Sequence, residues 1–443
     1  MFNKFLEFTQ TKSLYIYKNS LFLQHIDKFI FISILAVFLS STVLSSDGIG
    51  FIALVTVFLT VLKLLTCKGE KTEPAVFEIW LLAYFMIVVI SLAGSTLFML
   101  SLKGFLKTLT YLGFYFSLSH YLKNNLNKIP AILATIGICV GFEGIMGFLQ
   151  NFAKVEEIST WQDVSKLNPE EVMTRVYGTL KPLNPNLLGG YFVAGIPALL
   201  GACANFFTDK KYKYSIVFAI LSLISIMALF LTGCRGSYIG MMVIFGLSFL
   251  VSAKYLWQNY KTIYISIVGG CMALITAAIL FSTSLRARVL SIFAMRQDSS
   301  NSFRFNVYQS SFNMFKDNWL LGIGVGNQNF REIYGLYMRT GFDALSAYNI
   351  FLEISVESGI FALLAFLGFV ITMCANAIRE IKNSCDIKKV IYLSTAVISI
   401  IAVMVHGLVD TVFFRPQIQF IFWTMCAIIS ALLKETISTD NRL

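Results

Sequence analysis

Charged side chains are scarce here: they make up 13% of 443 residues, against roughly a quarter in an ordinary soluble domain. A surface so poor in charge excludes a soluble multidomain protein of this size. Histidine occurs only three times, and the eight cysteines are scattered, with no CxxC pair and no Cys/His ligand spacing. That excludes a disulfide framework and a structural zinc site; the cysteines read as small hydrophobic residues inside apolar runs. No solenoid period is visible. Acidic residues are outnumbered 24 to 35, for a formal charge of +11. This excess does not point to nucleic acid. The basic residues lie in small groups between long apolar runs, as in the cytoplasmic loops of membrane proteins.

What the chain has in abundance is apolar surface, at 57% of its residues with 41 Phe and 19 Tyr. About 20 apolar residues cross a hydrocarbon core of ~30 Å. Twelve such runs are predicted, at about 29–46, 49–66, 75–93, 104–121, 129–149, 184–205, 214–232, 236–253, 262–281, 350–374, 389–409 and 416–433. All should be helices, because a backbone in lipid must satisfy its own hydrogen bonds. The expected fold is an all-α integral membrane protein with about twelve spans. No cleavable leader is expected, since no small-residue cleavage site follows the first run.

Lysine and arginine fall mainly in alternate short loops, which places both termini on the cytoplasmic side. Residues 1–28 then form the inner N-terminus, and residues 29–281 hold nine spans with an outer loop at 150–183. A large outer loop covers 282–349, three spans cover 350–433, and 434–443 is the inner C-terminus. Within the large loop Phe305, Tyr308, Phe312, Phe315 and Trp319 recur at three- and four-residue spacing, which predicts an amphipathic helix on the bilayer surface. Arg304 sits at the edge of that face.

Several residues near the outer ends of the spans could carry chemistry. Arg235, in LTGCRGSY, stands between two apolar runs with Gly233 and Gly236 beside it. A guanidinium at a helix N-terminus suits a phosphate or pyrophosphate. Arg175 and Lys181 precede Asn184-Pro185, an N-cap followed by a proline at the first helical position, and make a second candidate anion contact. The run Gly322–Gly326 reads as a turn, since no Lys-Ser/Thr follows it as in a phosphate loop. Asn349 is a candidate cap for the tenth span, where Glu353 and Glu357 share a helix face. His406 precedes Asp410 by four residues, a spacing that on one helix face would let the carboxylate orient the imidazole as a base.

The stretches YGTLKPLNPNLLGGYF, LTGCRGSY, FRFNVYQSSFNMFKDNWLLGIGVGNQNF and SAYNIFLEISVESGIFALLAF resemble the O-antigen ligase and polymerase superfamily, over roughly residues 175 to 425. The resemblance implies a fold like that of membrane glycosyltransferases, in the bacterial plasma membrane. It implies metal-independent, inverting transfer of a glycan from an undecaprenyl-pyrophosphate carrier to a glycan or lipid acceptor at the outer face, with no cofactor. Arg235 and Arg304 match positions that the family uses for the pyrophosphate. The family often has His-Asn at the start of span ten, with that His catalytic, but here the pair is Tyr348-Asn349. Tyrosine, with an unperturbed pKa of ~10, is a poor base at neutral pH. Either another group activates the acceptor, with His406, Glu353 and Asp343 as candidates, or this chemistry is lost. ALSAYNIFLEISVESG and LNPNLLGGY are also similar to a cyanobacterial branch named for inorganic carbon transport, which makes a bicarbonate transporter the alternative. No paired broken helices in matching halves are evident, and transport ranks second.

Overall fold

Backbone hydrogen-bond demand makes every long apolar run a helix. The computed structural model describes residues 2–67, 74–153, 175–257, 260–293 and 299–440. The centre of the expected outer loop, 154–174, and the last residues 441–443 lie outside the described residues. Among the described residues the chain opens with α1 (Phe2–Asn19) and the single turn α2 (Leu21–Gln24). Then come α3 (Ile26–Ser41), α4 (Ser46–Thr66), α5 (Glu78–Gly94), α6 (Phe98–Asn124), α7 (Ile129–Gln150), α8 (Pro185–Thr208), α9 (Tyr212–Leu231), α10 (Arg235–Leu256) and α11 (Lys261–Phe281). The large loop carries α12 (Thr283–Ser291), α13 (Ser299–Asp317) and α14 (Asn327–Tyr334). The chain closes with α15 (Ile350–Asn383), α16 (Ile387–His406) and α17 (Pro416–Asp440).

By length and composition, eight of these helices are able to cross a membrane, counted over the described residues, rather than the expected twelve. α3 and α5 have 16 and 17 residues. α6 is long but rich in Lys, Ser, Thr and Tyr, and the described apolar part of α11 is short. Residues 1–28 are not a loose tail: α1 docks on the end of α4, with Gln10 Nε2 donating to Leu64 O (2.9 Å) and Ser13 Oγ to Leu65 O (3.1 Å).

Burial sorts the helices. The apolar stretch of α17 is buried throughout, and α8 and α16 nearly so, which makes these three the centre of the bundle. Aromatic edges lock the centre together, as in Phe114–Phe420 and Phe413–Phe422, each 5.0 Å between ring centroids. Around the centre, α4, α9 and α10 turn Phe51, Phe58, Leu223 and Met242 outward. Apolar faces of this extent require lipid rather than water to cover them. The protein is membrane-embedded.

One charged cluster lies deep in the bundle. Glu78, at the start of α5, accepts hydrogen bonds from Tyr115 Oη (2.7 Å), Ser430 Oγ (2.9 Å), the Ala75 N–H (2.7 Å) and Lys434 Nζ (3.0 Å). Removing one partner of such a pair strands the other charge. Lys434→Met is expected to destabilise the protein by about 3 kcal/mol, read as a lowered thermal transition in detergent. An unchanged transition would show that the pair contributes nothing.

α15 is interrupted at Gly359, whose φ of 79° is a left-handed conformation that an L side chain adopts only with strain. The freed backbone groups are met by the 319–324 segment: the Ile360 N–H donates to Trp319 O, Ile323 N–H to Val356 O and Gly324 N–H to Glu357 O, each at 2.9 Å. The Gly322–Gly326 run is a turn, as expected. α13 forms where the aromatic spacing predicts it, but its buried face is rotated. Val307, Ser310, Ser311 and Met314 are the residues buried, and α13 packs on α15, while Phe312 is 45% exposed and Trp319 lies beyond the helix end. Periodicity located the helix, and α15 covers the stripe of Val307 and Met314 while Phe312 stays exposed.

Candidate functional site

The starts of α4, α6, α8 and α15, the start of α13 and the turn between α16 and α17 all meet at one end of the bundle. They enclose a cavity of about 1360 Å³. Its charged lining residues come from segments far apart in the chain.

One wall is built around Arg175. Its segment is pinned to α7: Gln150 Oε1 accepts the N–H of Tyr177 and of Gly178, and Glu143 accepts the N–H (2.9 Å) and hydroxyl of Thr179. Arg175 Nε donates to Thr232 O (2.7 Å) and Nη2 to Asn186 Oδ1. Burial pushes its pKa below the usual arginine value, yet arginine remains a cation in proteins. Asn186 follows the expected cap, since Asn184 Oδ1 accepts the Asn186 and Leu187 N–H groups. Asn186 Nδ2 in turn donates to Asp410 Oδ2 (3.2 Å).

Asp410 is the hub. Its Oδ1 accepts the backbone N–H of Thr411 (2.7 Å) and Val412 (3.1 Å), and its Oδ2 lies 3.6 Å from Arg304 Nη2. Arg304, at the start of α13, also donates from Nη1 to Ser300 Oγ (3.3 Å). Its Nε is buried and has no hydrogen-bond partner. A desolvated donor of this kind costs about 1–3 kcal/mol, more when it is charged.

Tyr348 supports this arginine from below: Arg304 Cζ lies 5.7 Å from its ring centroid, within cation–π range. The Tyr348 backbone is left-handed, with φ of 50°, a conformation that costs a non-glycine residue about 1–2 kcal/mol. Burial, and then the Asp410 charge, push its phenol above the ordinary value, so it keeps its proton. Next to it, Asn349 caps α15 as expected, accepting the Leu352 N–H (3.0 Å) and donating to Leu408 O (2.9 Å).

Glu353 and Glu357 line the cavity from the short part of α15 ahead of Gly359. Glu353 Oε2 accepts the Ala347 N–H (3.0 Å), and Glu357 Oε1 accepts the Gly326 N–H (2.9 Å). Among the described residues no cluster of three His, Cys, Asp or Glu is arranged to hold a metal ion.

Of the residues singled out from sequence, Arg175, Arg304, Tyr348 and Glu353 therefore converge. Others do not reach the cavity. Arg235 Nη1 donates to the Ser291 carbonyl (3.2 Å) and hydroxyl (3.1 Å), tying the start of α10 to α12. Lys181 is exposed, and only its carbonyl is engaged, by Gln417. Asp343 is exposed and pairs with Arg331 at 3.2 Å. His406 is buried, with Nε2 at 3.5 Å from Ser237 Oγ and 3.9 Å from Cys234 Sγ. It is not oriented by Asp410, because α16 ends at His406 and the helical spacing to Asp410 is broken. Lys103, Lys107 and Arg415 line the cavity and were missed as site residues. The spacing of the two lysines at the mouth of an apolar run was the available signal.

No curated protein matches the chain. Residues 220–367 match the family model Wzy_C, O-antigen ligase. That segment runs from α9 into α15 and holds Arg235, Arg304, Tyr348, Asn349, Glu353 and Glu357; Arg175, Asp410 and Arg415 reach the cavity from outside it. The match supports a ligase- or polymerase-like role, and nothing in it speaks for bicarbonate transport. The match spans about a third of the chain, a segment similar to O-antigen ligases set within a helical membrane bundle.

Proposed function

We propose that the cavity transfers a glycan from an undecaprenyl-pyrophosphate carrier to a glycan or lipid acceptor at the outer face of the bacterial plasma membrane. The observation that carries this reading is the Arg304 Nε–H, buried at the cavity wall without an acceptor. An oxyanion there would satisfy it with a charge-assisted bond, and the guanidinium fork suits phosphate oxygens. Arg175 adds a second cation, and Asp410 with Asn186 fixes the separation of the two.

The transfer balances as follows. Glu353 takes the proton of the acceptor hydroxyl. The oxygen attacks the anomeric carbon from the face opposite the leaving group. The bond from that carbon to the pyrophosphate oxygen breaks, and its electron pair leaves on the pyrophosphate, stabilised by Arg304 and Arg175. The product is inverted at the anomeric carbon. Tyr348, which stays protonated, acts as a platform for Arg304 and not as the base.

The gathering of the polar groups at one end of the bundle supports work at a single membrane face, with both termini on the opposite, cytoplasmic side. The test is the carrier pool. Cells lacking the protein are expected to accumulate undecaprenyl-pyrophosphate-linked glycan and to lose the corresponding surface glycan. An unchanged carrier pool with normal surface glycan would overturn the proposal.

A further inference from the structure

The transfer just described leaves three cations of the same cavity without a task. Lys103 and Lys107 stand one turn apart on α6 and share a face, and Arg415 precedes α17. All three line the cavity. Among the described residues, none of these side chains donates a hydrogen bond or joins an ion pair. Asp47, Glu353, Glu357 and Asp410 are the acidic residues lining the same cavity.

Their placement is tightly held. Gly104, between the two lysines, lies so close to the 322–326 turn that a Cβ there would come within 2.6 Å of Gly326 Cα. Gly326 is the residue whose N–H binds Glu357. A side chain larger than hydrogen at position 104 would push α6 away from the carboxylates, so the lysines and the two glutamates are mounted as one unit. Arg415, at the turn before α17, lines the same cavity as the two lysines and Glu353. Arg304, in contrast, is committed to Asp410 and Tyr348.

Inversion places the acceptor and the leaving pyrophosphate on opposite faces of the reacting sugar. A base at Glu353 then marks the acceptor end, and the cations grouped with Glu353 face that end. Two ammonium groups one turn apart with a guanidinium fork match a tetrahedral oxyanion with several oxygens better than a neutral sugar. We propose that Lys103, Lys107 and Arg415 form a second anion subsite that takes a phosphate group on the acceptor side of the cavity. The phosphate belongs either to the acceptor or to the headgroup of a bilayer lipid that closes the cavity. This inference rests on the reading of the cavity as a glycan-transfer site.

The full chain in phosphatidylcholine nanodiscs provides the test, with glucose 6-phosphate as the probe, glucose as its neutral control and saturation-transfer NMR as the readout. All measurements use an Arg304→Gln background, which removes the first anion site. Glucose 6-phosphate is expected to bind, and glucose not. Adding Lys103→Gln and Lys107→Gln, or Arg415→Gln, should weaken the phosphate binding about tenfold, while Arg415→Lys retains most of it and so reports an intact fold. Equal binding of glucose, or phosphate binding unaffected by the glutamine changes, overturns the subsite. Displacement of the probe by phosphatidylglycerol in the disc assigns the phosphate to a lipid headgroup, and its persistence assigns it to the acceptor. Should Arg304→Ala remove surface glycan while the lysine changes alter nothing, only the second subsite falls. Should Arg304→Ala leave surface glycan intact, the transfer reading falls on its own account.

Discussion

Cells in which Arg304→Ala replaces the native residue are expected to lose surface glycan, with transfer reduced about 10²–10³-fold, the usual cost of removing one donor aimed at developing negative charge. The reason is the position of the guanidinium. It lines the cavity with one amino group 3.6 Å from Asp410 and a buried N–H that has no acceptor. Arg304→Lys should recover little, because an ammonium cannot both hold Asp410 and present a second, fixed donor. Arg235 offers the contrast. Its Nη1 bonds Ser291 and it does not line the cavity, so Arg235→Ala should act through the placement of α12 and reduce transfer by less than Arg304→Ala. Quantifying surface glycan in the two strains separates these outcomes. Full glycan in the Arg304→Ala strain, or a larger loss in the Arg235→Ala strain, would contradict the assignment.

Glu353→Gln is expected to lower transfer about 10²–10⁴-fold while leaving donor binding in place, since an amide preserves the shape and loses the base. The amide oxygen can take the place of Glu353 Oε2 as acceptor of the Ala347 N–H, so the local fold should survive. The pH profile provides the sharper readout. Activity that depends on a carboxylate falls as pH drops through the pKa of that group, and in the glutamine variant this acid limb should vanish from the residual rate. Tyr348→Phe should preserve the limb and cost less than about tenfold, because the ring under Arg304 remains and only a neutral hydroxyl is lost. An acid limb that persists in Glu353→Gln and disappears in Tyr348→Phe would reverse the two roles.

Much of this architecture was legible from hydropathy, because lipid leaves the backbone few choices. The twelve predicted runs all fall on helices, and the Asn184 and Asn349 caps behave as their neighbours predict. Less legible were features set by contact between distant segments. The aromatic stripe of α13 marked a helix but not the face packed on protein, because α15 covers the Val307 and Met314 stripe instead. His406 and Asp410 are four apart in sequence, but the helix ends between them, so the inferred shared face does not exist. Arg235, marked by its glycine neighbours, hydrogen-bonds a serine of α12 and is not among the residues lining the cavity. The cations on α6 and before α17 lie far apart in the chain, and only the assembled bundle brings Lys103, Lys107 and Arg415 to one cavity.

The break in α15 changes how the membrane bears on the carboxylates. The portion after Gly359, about 24 residues and roughly 36 Å long by helical rise, suffices to span the hydrocarbon by itself. Glu353 and Glu357 ride on the short segment ahead of the break, stitched to the 319–326 strip. Changes in bilayer thickness or in the tilt of the long rod would thus be absorbed at the glycine joint, and the acidic pair would keep its register with the strip through them.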